Sequence, residues 1–184
     1  MKSRSCSRLV NFAWYQLLWF AAVLGKTAAL PLLALLVLLH LLLVEKRSAE
    51  LALMLGAAAL GSCLDLALTV AGFYRFDEAE SALPAWLPLI WMGFAGTMRY
   101  SLAFMVARPR LLTLAAAIFA PLTYLAAARL GAVSFPLGAP ATALVIGLSW
   151  WLVTPLLLRI ELLTRQPAWP ALSARSSSLQ RPEV

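Results

Sequence analysis

Charge is scarce in this sequence, and that scarcity fixes its class. Only 12% of the 184 residues are Asp, Glu, Lys or Arg, while 62% are hydrophobic. A soluble domain usually carries about 25% charged and about 45–50% apolar residues. A globule of this size leaves roughly 30% of its chain surface exposed, so one core cannot hide so much apolar surface and lipid must cover the rest. The single histidine, His40, excludes a paired-histidine zinc motif. The two cysteines, Cys6 in a polar tail and Cys63 inside an apolar run, belong at different depths, which argues against a disulfide. Cys63, set among alanines and glycines, reads as a small packing residue. There is no glycine-rich phosphate loop, no nucleophile elbow and no heme-binding pattern, so no cofactor and no metal are expected. A net charge of +7 raises the question of nucleic acid. The basic residues stand singly or in pairs at the ends of apolar runs instead, and no nucleic-acid partner is expected.

What is abundant is apolar length. A span needs about 20 apolar residues to cross a hydrocarbon core of about 30 Å. Six such runs cover residues 9–24, 28–44, 51–73, 84–107, 111–128 and 139–160. The expected fold is therefore an all-α bundle of six transmembrane helices over residues 9–161. Residues 1–8 are read as a cytoplasmic tail, and residues 162–184, rich in Ser, Arg and Pro, as a disordered one with Trp169 near the interface. The start, with Lys2, Arg4 and Arg8, resembles a signal-peptide n-region. Asn11, Gln16 and three aromatics spoil the apolar region behind it, and no cleavage is expected.

The Lys and Arg residues alternate by loop. Eleven fall at the N-terminus, the second and fourth loops and the C-terminal side, three fall at Lys26, Arg75 and Arg129, and Arg99 lies within a run. The positive-inside rule then puts both termini in the cytoplasm. Trp14 and Trp19 echo Trp86 and Trp91. This is either a trace of a three-plus-three inverted repeat or a belt of interfacial tryptophans, and the belt is the preferred reading. Pro121 and Pro155 are expected to kink the fifth and sixth spans. The acidic loop from Asp77 to Glu80 reads as a solvated turn.

Ionisable groups inside a span cost about 2.5–3.5 kcal/mol or more at mid-bilayer and usually face protein. Asp65 and Arg99 are the two candidates. Ala58, Gly61, Ser62, Asp65, Thr69 and Gly72 share one helix face of small residues, and Gly96, Arg99 and Ala103 share another. The two faces are expected to meet. A rise of about 1.5 Å per residue puts Asp65 about 22 Å above Glu50, taken as the cytoplasmic reference, and Arg99 about 13 Å above Arg108. An Asp65–Arg99 pair is one option, and Gln16, about 12 Å up, is an equally good partner for Arg99. The candidate polar cluster is thus Gln16, Asp65 and Arg99, with His40 and Asn11 as weaker members. Such groups either lock helix packing or floor a polar cavity.

Several segments resemble an uncharacterised bacterial membrane family, domain of unknown function 2878. They are Asn11-Phe12 with Gln16, Trp19-Phe20 through Val23-Leu24-Gly25, Trp86-Leu87 with Trp91, Phe94-Ala95 and Thr97, Ser101-Leu102, and Pro121-Leu122-Thr123-Tyr124 with Ala126 and Gly131-Ala132. The resemblance runs to about residue 160. It implies a small multi-pass inner-membrane protein without assigned catalytic residues. It also implies a lipid setting, beside enzymes resembling cyclopropane-fatty-acid synthases. The expected role is accessory and non-catalytic, binding or moving a lipid-like molecule, with membrane lipids as partners and protein partners undefined. The alternatives are a lipid-modifying enzyme using Asp65 or His40 as acid or base, and a small proton-coupled transporter.

Overall fold

The computed structural model describes residues 8–76 and 83–165, and about four fifths of them are helical. The N-terminal tail with Cys6, the acidic loop from Asp77 to Glu80, and the C-terminal tail with Trp169 lie outside the described residues. Among the described residues seven α-helices follow one another: α1 (Arg8–Gly25), α2 (Leu30–Leu43), α3 (Arg47–Val70), α4 (Leu87–Met98), α5 (Ala103–Val106), α6 (Pro109–Arg129) and α7 (Ala139–Thr164). Four segments are long and apolar enough to cross a membrane: Arg8–Leu43, Arg47–Val70, Pro109–Arg129 and Ala139–Thr164; Leu87–Met98 is a shorter apolar helix.

The first of these segments is folded back on itself. Lys26 takes a φ of 48° at the start of a short 3-10 turn, Lys26–Ala29, and Pro31 then opens α2. The Trp14 indole donates to the Leu36 carbonyl at 3.0 Å and stacks on His40. Those contacts pair α1 and α2 as an antiparallel hairpin. The run read as a fourth span, residues 84–107, is likewise not one helix, because α4 ends at Met98 and α5 begins only at Ala103. Asn11 on α1 stabilises the break. Its amide donates to the Gly96 carbonyl, and its Oδ1 accepts from the Ser101 N–H and hydroxyl, at 3.0, 3.1 and 2.7 Å. One buried side chain so satisfies backbone groups that an apolar surrounding would leave unpaired.

α3 is the centre of the bundle, flanked by α4 and α7; α7 packs in turn on α6, and α1 on α4. Small residues permit the closest approaches. A Cβ at Gly61 would lie 1.9 Å from the Trp91 ring, and one at Gly147 would lie 2.9 Å from the Ala117 carbonyl. That carbonyl is the one for which Pro121 supplies no helical N–H. The small face of α3 thus meets α4 at bulky Trp91 and not at the small face of α4, where Gly96 lies against Met54, Trp14 and His40.

The connections gather at two ends. At one, Arg75 pairs with Ser134 in a single antiparallel bridge, and the Thr142 hydroxyl donates to the Phe73 carbonyl. At the other lie the α2–α3 turn, the break after α4 and the C-terminus of α7. These are the Arg75 end and the Arg99 end. The outer face is greasy: Leu24, Leu55, Leu144 and Leu152 are all exposed, as an all-round apolar helix set requires of a lipid neighbour. Of the tryptophans read as a belt, Trp19, Trp86 and Trp91 pack inward instead, all under 9% exposed, because their bulk fills the interior. Cys63, read as a packing residue, is exposed on α3.

Candidate functional site

Asp65 and Arg99 do not meet. Each heads its own polar cluster, one toward each end of the bundle.

Asp65 lies at the heart of α3 and is wholly buried. Its carboxylate accepts three hydrogen bonds. Tyr74 and Tyr124 donate to Oδ1 at 2.6 and 2.5 Å, and Trp91 donates to Oδ2 at 2.7 Å. Charge-assisted bonds of this length are roughly twice as strong as neutral ones. The cage joins α3, its following loop, α4 and α6. Burial first, then the adjacent Asp65 charge, push the Tyr74 phenol well above its ordinary value, so it remains a donor.

Arg99 follows directly on α4 and serves as a hub at the opposite end. Its guanidinium donates through Nη1 to Glu50 Oε2 and through Nε to Glu161 Oε1, both at 3.3 Å. Nη2 reaches the Glu161 carbonyl at 3.2 Å and the Thr164 hydroxyl at 2.8 Å. A cation on the last carbonyls of α7 also complements the negative end of that helix. Glu50 Oε1 accepts in addition from His40 Nε2 at 3.0 Å, and Glu161 Oε1 from Arg165 at 2.7 Å. His40 is held from its other sides by Trp14, stacked, and Tyr100, edge-on. This ion network ties α2, α3, the α4–α5 break and α7 together. Beside it lies a cavity of about 600 Å³, bordered by Val10, Trp14, Lys46 and Tyr100.

Two members of this hub, Glu50 and Glu161, were treated in the sequence as boundary residues, and Glu50 as the water-level reference. Both are buried, 1% and 2% exposed. A signal for Glu50 was present: Glu50, Met54, Ala57, Gly61 and Asp65 recur at helical spacing, so Glu50 shares the inward face of Asp65. Glu161 has a local partner in Arg165, four positions on, but joins the hub through Arg99, 62 positions away, which no local pattern encodes. Asn11, a weaker member of the expected cluster, is central to the break, while His40, the other, is buried against Glu50. Among the described residues, no three His, Cys, Asp or Glu side chains are grouped to hold a metal ion.

Gln16 joins neither cluster. It lies in the wall of a second cavity, of about 620 Å³, between α1 and α6 with α4 at its back. This cleft is lined by aromatic and aliphatic side chains, among them Trp19, Phe94, Met105 and Trp150. It extends along α6 from Leu112 to Ala127, about 22 Å at 1.5 Å per residue. Its rim residues Phe12, Phe119 and Leu122 are 51%, 64% and 52% exposed, so it opens sideways on the greasy outer face. Trp91 and Tyr124 belong both to this wall and to the Asp65 cage.

The family model described as Protein of unknown function (DUF2878) matches residues 8–156. No curated protein and no solved structure matches the chain. The matched stretch contains Asn11, Gln16, His40, Glu50, Asp65, Arg99 and Tyr124, and ends before Glu161.

Proposed function

We propose, for a chain that belongs to the family Protein of unknown function (DUF2878) through residues 8–156, a role as a multi-pass protein of the bacterial inner membrane that binds a lipid-like chain in the cleft between α1 and α6. In this reading the α1–α2 hairpin, α3, the α4–α5 pair, α6 and α7 make six passes. The Arg99 end, with Lys46, Arg47, Arg108, Arg110 and Arg159, faces the cytoplasm together with both termini. α4 alone is about 18 Å long, too short for a hydrocarbon core of about 30 Å, and α5 completes its passage. Broken helices at membrane depth are tolerated where protein satisfies their backbone, as Asn11 does here.

The observation that carries the proposal is the 620 Å³ apolar cleft with an exposed lateral rim. Ligand sites are typically concave, mainly apolar and provided with a few polar groups. A length of about 22 Å exceeds the roughly 15 Å of half a hydrocarbon core, so an acyl-type chain can enter from the bilayer and lie along the cleft. The protein holds or passes the molecule, and neither Arg99 nor His40 lines the cleft. A proton-coupled carrier is the second reading, favoured by Tyr124, which stands in the cleft wall and donates to Asp65.

The test is titration of the amphipol-exchanged protein with 11-dansylaminoundecanoic acid. The expected result is saturable binding near one probe per chain, abolished by Ala116→Trp, which fills the cleft from α6. No saturable binding, or equal binding by Ala116→Trp, would overturn the proposal.

A further inference from the structure

The cleft wall contains polar side chains that the protein does not use, among them a hydroxyl and an amide side by side on one helix. Tyr15 and Gln16, adjacent on α1, both line it, and neither has a hydrogen-bond partner among the described residues. A donor that opens on an apolar space gains a bond from whatever acceptor a ligand brings there, and several neighbouring polar groups are already satisfied within the protein. Asn11, one turn before, makes three bonds. Thr123, also in the wall, bonds back to the Phe119 carbonyl at 2.8 Å. Tyr124 donates to Asp65. The Asp65 carboxylate is occupied by Tyr74, Trp91 and Tyr124, so it offers Tyr15 and Gln16 no acceptor. The walls are also short of acceptors in general: the indole nitrogens of Trp86 and Trp150, two further wall residues, are buried without a partner among the described residues.

Depth makes the pair informative. Tyr15 and Gln16 stand seven and eight residues beyond Arg8, about 10 and 12 Å along α1, close to the middle of a helix about 27 Å long. An ordinary acyl chain offers nothing polar at that level, since its carboxylate or ester stays at the interface. We propose that the cleft selects an amphiphile carrying a carbonyl oxygen on its apolar body at mid-membrane depth, with the Tyr15 hydroxyl and the Gln16 amide as the donors that recognise it. This rests on the cleft being a chain-binding site. The shared chemistry is a ketone-type acceptor in an apolar setting, and its source is either an oxo group within a fatty chain or the ring of a quinone drawn down into the cleft.

Competition against the bound dansyl probe tests it with stearic acid, 10-oxostearic acid and decylubiquinone. At least one of the two carbonyl compounds is expected to displace the probe at about tenfold lower concentration than stearic acid, the gain of roughly one hydrogen bond. Which of them does so identifies the source. Tyr15→Phe and Gln16→Leu should each erode that preference, read within each variant as the ratio of carbonyl-compound to stearic-acid displacement. Tyr15→Phe removes one oxygen and keeps the ring, so it guards against a folding defect in the other variant. Equal displacement by all three compounds, or a preference untouched by both variants, overturns the selectivity proposal and leaves the cleft a chain site. Failure of the probe to bind at all strikes the cleft reading instead.

Discussion

Replacing Arg99 with methionine should be among the most damaging single changes in the molecule. The guanidinium makes four hydrogen bonds, two of them to carboxylates that are almost wholly buried. Arg99→Met keeps the aliphatic volume but leaves Glu50 with only His40, and Glu161 with only Arg165, whose side chain is 57% exposed. Removing one partner of a buried ion pair costs about 3–5 kcal/mol, because a charge remains without compensation. That corresponds to a shift of more than a hundredfold in the folded-to-unfolded ratio, at about 1.4 kcal/mol per factor of ten. The penalty belongs to the stranded carboxylates, not to the missing arginine. The triple variant Arg99→Met, Glu50→Gln, Glu161→Gln should therefore recover most of it, losing besides the network only the half-exposed Arg165 contact, worth about 0–1 kcal/mol. Unfolding by SDS titration in mixed micelles reads both variants. An Arg99→Met protein within 1 kcal/mol of wild type, a threshold set by the surface-pair range, would refute this account of the hub. So would a triple variant no more stable than the single one.

Two other substitutions probe the packing. Gly61→Ala places a Cβ 1.9 Å from the Trp91 ring, so α3 and α4 must part and the Trp91–Asp65 bond lengthen; a loss of about 1–3 kcal/mol in the same titration is expected, and a neutral result would contradict the close approach. Asn11→Leu leaves the Gly96 carbonyl and the Ser101 N–H unsatisfied, at about 1–3 kcal/mol for each. Hydrogen exchange over residues 97–103 should accelerate while exchange in the middle of α3 stays unchanged; uniform protection would show that Asn11 does not hold the break.

Much of this architecture is legible in composition. Runs such as residues 30–43 and 139–160 are apolar on every side, and only lipid accommodates helices of that kind. The small face of α3 is visible as Gly61 and Asp65 at helical spacing, and its meeting with α4 follows from chain order. What local pattern does not encode is partnership at long range. Asp65 is satisfied by Tyr74 and Tyr124, which no pattern marks as its partners, and by Trp91, which reads as a belt residue. Arg99 stands nine residues from Arg108 in a run that reads as one continuous span. The break at Met98 depends on Asn11, 85 to 90 positions away, and no turn residue or proline announces it. Glu50 and Glu161 were hidden for a simpler reason: acids at the ends of apolar runs ordinarily face water, and here the bundle folds over them.

The account depends above all on six passages through the bilayer with both termini inside. Single cysteines at Thr27, Ala79, Leu137, Ser48, Ala107 and Ala168, introduced one at a time after replacing Cys6 and Cys63 with alanine, read this directly through labelling of spheroplasts with a membrane-impermeant maleimide. Labelling of the first three in intact spheroplasts, and of the last three only after lysis, is the predicted pattern. Reaction of Ala168→Cys from outside while Ser48→Cys stays protected would place the two termini on opposite faces and contradict it.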